Sequence, residues 1–192
     1  MIFKETCYFD APGPQNTDLV IQAVRKRIQE LGIQHVVVAS TTGATAMKVW
    51  EQLEDLHPAI VCVGEHYGFW GGDTQKFSDA TRQSLESKGV RVFIGSHALS
   101  GVARAITNKF KGISHTEIIA YTLRQLGQGI KVCVEIAIMA ADAGLVPTDR
   151  EVVAIGGTGK GADSAAVLKP AHMHNYFDLE IREIIAKPRQ NS

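Results

Sequence analysis

A chain of 192 residues, 45% of them hydrophobic, can bury one sizeable core and is too apolar to remain disordered. Twenty basic residues balance twenty acidic ones, which argues against nucleic acid or an acidic membrane as partner, because both need a basic face. The three cysteines (Cys7, Cys62 and Cys133) form no CxxC pair, and the start of the chain, Met1 to Glu5, is too polar for a signal peptide; both point to a reducing cytoplasm.

Short β-branched runs alternate with amphipathic stretches, the rhythm of a parallel sheet covered by helices. Asn16-Thr17 offers a helix N-cap. Apolar residues then recur at Leu19, Val20, Ala23, Val24, Ile28 and Leu31, and Gly32 ends the helix. Residues 35–39 read as a buried strand, 40–43 as a turn and 44–56 as a helix. A second strand at 59–63 leads into a long loop, 64–77. Ser78 caps a third helix that stops near Gly89, and residues 90–94 form a third strand.

Helical patterns fill 100–110, 114–126 and 131–143, with Thr116-Glu117 in the first turn of the second. The most apolar stretch, 132–141, is broken by Glu135 and too short to span a bilayer, so it reads as a buried helix. A fourth strand at 151–155 runs into a glycine loop at 156–161. Segments 164–168 and 177–186 read as extended, the latter from the polar–apolar alternation across 178–184. No repeat or linker interrupts residues 1–192, which read as a single α/β domain with a loosely held tail at 187–192.

Three loops carry residue types suited to chemistry. The first, Ser40-Thr41-Thr42-Gly43-Ala44-Thr45, follows a buried strand and opens a helix. It offers hydroxyls, free backbone N–H groups and the positive end of the helix dipole, the set a phosphate dianion needs, with Gly43 allowing close approach. Its plainer reading is an ordinary N-cap turn. The second, Gly156-Gly157-Thr158-Gly159-Lys160-Gly161, leaves its amides unshielded and adds a cation. It is not a Walker A loop, because Lys160 is followed by Gly161. It is not a standard dinucleotide site either, because Pro170 breaks the segment that should be a helix. A flexible surface turn is the alternative.

The third loop, 64–73, sets Gly64, Glu65 and His66 beside Tyr67, Phe69 and Trp70. These aromatics can wall a flat ring system, and Glu65 or His66 can move a proton; alternatively they tuck onto the core. Ligands of open α/β sheets sit at the carboxyl ends of strands, where all three loops lie, so the three are expected to converge if the strand order allows.

Other polar residues read more modestly. Asp163, beside the glycine loop, is a third acid–base candidate, although capping is its default role, as it is for Asn16 and Thr17. Ser96-His97 follows the third strand and can reach the same crevice. His172 and His174 lack a clear carboxylate or cysteine partner, so no metal site is expected. Glu135 reads as a satisfied buried or groove-facing carboxylate rather than a functional group.

The run 36–46 resembles the C-terminal α/β domain of pyruvate kinase, where a Ser/Thr-Gly loop between a strand and a helix holds the phosphate of a sugar-bisphosphate effector. Over nearly its full length the chain is similar to stand-alone archaeal and bacterial proteins of the pyruvate kinase C-terminal-domain-like family. The shared pieces are Tyr8-Phe9, Pro12-Gly13, Asn16-Thr17, then 39–46, 156–163 and 183–189. This resemblance implies a three-layer Rossmann-like sandwich with a mostly parallel sheet and additional C-terminal strands. It associates flavin mononucleotide (FMN) with some members of the family and places the phosphate contacts on Ser40, Thr41, Thr42, Gly43 and Thr45. Phosphotransfer to pyruvate is not implied, since that chemistry belongs to a barrel domain this chain lacks.

The leading expectation is therefore an FMN protein, with a redox role as the extension of that reading and the isoalloxazine ring between the glycine loop and the aromatic loop. A sugar-phosphate or nucleotide sensing module without turnover comes next, and a non-redox enzyme using Glu65, His66 or Asp163 third. The 40–45 loop holds no Arg or Lys, which favours a monophosphate over a bisphosphate. A homo-oligomer is expected.

Overall fold

The computed structural model describes residue 1 and residues 3–190. The chain runs β1 (Cys7–Phe9), α1 (Thr17–Leu31), β2 (His35–Ala39), α2 (Ala44–Leu53), β3 (Ala59–Glu65), α3 (Asp79–Ser87), β4 (Arg91–Gly95), α4 (Gly101–Phe110), α5 (His115–Arg124), α6 (Gln128–Asp142), β5 (Val152–Gly156), β6 (Ser164–Lys169) and β7 (Glu180–Pro188). The strands form one seven-stranded sheet in the order β1-β7-β6-β5-β2-β3-β4. All neighbouring pairs are parallel except those on either side of β6.

The β-branched runs form central strands because both faces of the sheet are covered. Val36 and Val38 of β2 face a core built with Val20, Val24 and Ile28 of α1 and Val49 and Leu53 of α2. Val37, between them, faces the opposite core, where Ile130, Val134, Ala137 and Ile138 of α6 pack. The alternation of side chains along a strand divides one apolar run between two layers. No helix among the described residues is long and apolar enough to cross a membrane.

Helix ends follow local chemistry. Gly32 closes α1 at φ 67°, a left-handed conformation that costs glycine little. The Ser78 hydroxyl accepts the Thr81 N–H at the start of α3, and Ser114 with Glu117 forms a capping box at α5. Asn16 does not cap α1; its amide donates to the Ala11 carbonyl.

Two departures from the sequence reading lie at the sheet edge. Residues 7–9 form β1, a strand too short to carry a readable alternation, and it exists because β7 offers it an edge. The segment at 187–190 is not a loose tail throughout: Tyr8 pairs with Lys187 and Phe9 with Pro188, and the Arg189 N–H donates to the Phe9 carbonyl at 2.8 Å. Residues 191–192 of that tail lie outside the described residues. Residues 177–178, expected to be extended, instead end a 3-10 segment, Met173–Asp178, that precedes β7. Buried Arg27 of α1 pairs with Glu183 of β7, which ties that edge to the helical layer.

Candidate functional site

Strands β5, β2 and β3 are adjacent, so the loops leaving their carboxyl ends open on one cleft of about 650 Å3. That volume suits a metabolite-sized or nucleotide-sized ligand. The expected convergence of the three loops is therefore a feature of the fold. Helices α4, α5 and α6 and the turn after β4 complete the walls.

From the β2 loop, Ser40, Thr41, Thr42, Ala44 and Thr45 line the cleft. No side chain caps α2, and the first N–H groups of any α-helix lack intrahelical partners. Gly43 does not itself line the cleft. It sits at φ 87°, and a Cβ there would run into Thr81 and lie 3.1 Å from Phe77 Cζ, so glycine serves the turn and its packing on α3 rather than approach to a ligand.

Gly157, Gly159, Lys160 and Gly161 of the glycine loop reach the cleft, whereas Gly156 and Thr158 do not line it. Gly156 is a packing residue: a Cβ on it would stand 2.5 Å from the Gly129 carbonyl oxygen of α6. The loop is held by Asp163, which is fully buried. Its Oδ2 accepts the Thr158 N–H at 3.0 Å and the Gly13 N–H at 3.1 Å, and its Oδ1 accepts the Ser164 hydroxyl at 2.9 Å. The Ala162 N–H goes to Thr17 Oγ1 at 3.0 Å. Asp163 thus acts as a loop anchor, outside the cleft lining.

The β3 loop contributes Gly64, Glu65, Phe69 and Trp70. The Trp70 indole N–H donates to Glu65 Oε2 at 2.7 Å, and the Lys76 ammonium lies 3.4 Å from the centre of the Trp70 ring. His66 stands behind this wall, its Nδ1 2.6 Å from the Tyr67 carbonyl oxygen and its ring edge-on to Phe69 and His97. His97 lines the cleft, 4.8 Å from Phe69 between ring centres, and burial holds its imidazole below the ordinary histidine range.

The residues that sequence reasoning did not place here come from the helices after β4. Lys131 and Glu135, one turn apart on α6, are 7% and 3% exposed and form an ion pair. Glu135 Oε1 also accepts the Leu99 N–H at 2.8 Å. Burial is the main cause that depresses the Lys131 ammonium, with Arg124 and Arg104 adding to it against Glu135. A lysine and a glutamate four residues apart inside an otherwise apolar helix is the signal that could have found them.

Five basic side chains (Lys76, Arg104, Arg124, Lys131 and Lys160) therefore line the cleft against two acidic ones, Glu65 and Glu135. In a chain of zero net charge that is a local segregation of basic side chains. Elsewhere, His172 Nδ1 lies 3.1 Å from Asp142 Oδ1, and no three potential metal ligands gather among the described residues.

Helices on both faces of a mostly parallel sheet, with a ligand-sized cleft at the strand ends, define a Rossmann-like α/β class of domain. The pattern of the pyruvate kinase α/β domain matches residues 18–169, and the chain belongs to that family. β1 and β7 lie outside the matched span. Among solved structures, it is similar to Cryptosporidium parvum pyruvate kinase in complex with ADP, at 12% identity and a TM-score of 0.40, covering 82% of this chain and 24% of that one. It is also similar to the SAH-bound Podospora anserina methyltransferase PaMTH1, at 13% identity and a TM-score of 0.35, covering 76% and 53%. The chain spans about a quarter of the pyruvate kinase it matches.

Proposed function

We propose that the cleft binds a phosphate-bearing small molecule, FMN above others. The observation that supports this is the meeting of uncapped α2 and the hydroxyls of Ser40, Thr41, Thr42 and Thr45 with the aromatic wall of Phe69 and Trp70 in one 650 Å3 space. The hydroxyls and α2 amides would hold the phosphate, with Lys160 adding charge. Trp70, braced by Glu65, would flank the flat ring. When bound, the flavin supplies hydride or single-electron transfer, while the protein positions it and excludes water. Two buried cysteines among three free ones support a reducing, cytoplasmic setting.

An absorption spectrum of the fresh protein, followed by FMN titration read through tryptophan and flavin fluorescence, tests this. FMN should bind and quench, and Thr42→Glu, at an exposed cleft position, should weaken binding at least a hundredfold. A colourless protein that ignores FMN, or equal binding by Thr42→Glu, would sink the reading. The excess of cleft cations favours, as a second reading, sensing of a more highly charged sugar phosphate or nucleotide, with saturable binding and no consumption of the ligand.

We also propose a homo-oligomer. Helix α4 has no buried residue, and Val102, Ile106 and Phe110 form an exposed stripe along it, continued by Ile113, Ile118 and Tyr121. These exposed apolar side chains offer one face for a partner, and a two-fold axis would lay it against its own copy. Sedimentation should give an oligomer that Phe110→Glu dissociates; a monomer at micromolar concentration would reject this.

A further inference from the structure

The two carboxylates of the cleft are engaged by the protein itself. Glu65 Oε2 accepts the Trp70 indole N–H, and Glu135 holds Lys131 with one oxygen and the Leu99 N–H with the other. His97 differs. It lines the cleft, yet its ring nitrogens have no hydrogen-bond partner among the described residues, and neither nitrogen is sealed from solvent. His35 of β2 shows the contrast, since its Nδ1 is sealed without a partner.

The ring is nevertheless held in place. In the turn after β4, the Ser100 N–H donates to the His97 carbonyl at 3.4 Å, and the Leu99 N–H is fixed to α6 through Glu135. Phe69 packs against the imidazole at 4.8 Å between ring centres and His66 at 5.7 Å, both edge-on. The charged and titratable groups around it are Glu135 and Lys131 of α6, with Glu65 and His66 where β3 ends. Neither carboxylate bonds to the imidazole, so a proton added there meets no acceptor in the protein, and burial works against the charge. At neutral pH the ring keeps one N–H donor and one bare nitrogen. A bare nitrogen accepts from O–H or N–H and offers nothing to a phosphate oxygen.

We propose that His97 sets the specificity of the cleft: a ring nitrogen accepts a hydrogen bond from an uncharged O–H or N–H group of the molecule whose anion the 40–45 loop holds. The inference rests on the proposed phosphate site and adds the neutral half of the ligand. That group is a hydroxyl of a sugar or polyol chain, or a ring N–H of a flat heterocycle lying against Phe69.

FMN, ribose 5-phosphate and inorganic sulfate, titrated into the full chain and followed by amide and histidine-ring NMR signals, test it. All three should move amides at 41–46, and the organic probes should also move the His97 ring nitrogens. His97→Phe should weaken at least one organic probe at least tenfold and leave sulfate within twofold. His97→Gln, which keeps an acceptor oxygen, should recover most of that loss. Protonation removes the acceptor, so the advantage of the unaltered protein over His97→Phe should shrink as pH falls from about 7.5 to about 5.5, across the ordinary imidazole range. An advantage that grows on acidification marks an imidazolium on the anion and would overturn the proposal. Equal weakening of sulfate by His97→Phe would do the same, because the ring would then only shape the loop. An organic probe that moves the 41–46 amides, with neither the His97 ring nor His97→Phe responding, would also overturn it and leave the phosphate site standing. If neither organic probe binds, both proposals fall. Dependence on His97 for FMN alone assigns the donor to the flavin ring, and for both probes to the polyol hydroxyls. Ribose 5-phosphate binding through His97 without FMN binding removes the flavin and keeps the proposal.

Discussion

Asp163 Oδ2 accepts the backbone N–H of Gly13 at 3.1 Å, joining two loops that lie 150 residues apart in the chain. The same oxygen holds Thr158, so one buried carboxylate fixes the glycine loop to the turn that follows β1. The glycine loop thus reaches the cleft already anchored, and only part of it is open to a ligand.

Asp163→Ala should destabilise the protein by about 3 kcal/mol, because it leaves buried N–H donors at Gly13 and Thr158 without an acceptor. Urea unfolding measures this, and Asp163→Asn, which keeps one acceptor oxygen, should fall between the two. A loss below about 1 kcal/mol would mean that water takes over the acceptor role.

Thiol reactivity should be confined to Cys7. Burial pushes the Cys62 thiol up to about 12 and raises Cys133 as well, and both are fully enclosed. At pH 8 a disulfide reagent should label no more than one thiol of the folded protein, and all three in urea. Rapid native labelling of two or more would show that the core opens.

Acidification below neutrality should weaken the fold. Burial is the main cause that lowers both His35 and His97. A base whose folded pKa is depressed binds fewer protons folded than unfolded. Its contribution is therefore full above the unfolded value, about 6.5, and is lost as pH falls through the folded value. The melting temperature should hold steady from pH 8 to 7 and drop between 6.5 and 5, and His35→Gln with His97→Gln should flatten that drop. A melting curve that does not move over that range would contradict the burial of both rings.

Much of the architecture is legible locally. The apolar runs at 35–39, 59–63 and 151–155 need both faces covered, and Gly32, Ser78 and Ser114 mark helix ends by their own backbone and hydroxyl chemistry. β1 is not legible, because three residues carry no period and the strand depends on the edge that β7 presents. The glycines of the two loops show how composition can mislead. Gly156 and Gly43 look like openings for a ligand, yet one admits the Gly129 carbonyl and the other a left-handed turn packed on Thr81 and Phe77.

The sequence by itself determined the α/β class, the positions of the helices and central strands, and the hydroxyl-rich turn at 40–45, because periodicity, capping and turn chemistry act over a few residues. Only the tertiary structure decided which strands are neighbours. The order β5-β2-β3 brings three loops into one cleft, and the packing of α4 to α6 brings Arg104, Arg124, Lys131 and Glu135 to it. The cause is physical: strand adjacency and helix docking are set by burial of apolar faces between segments far apart in the chain, and no local pattern encodes the distance between them.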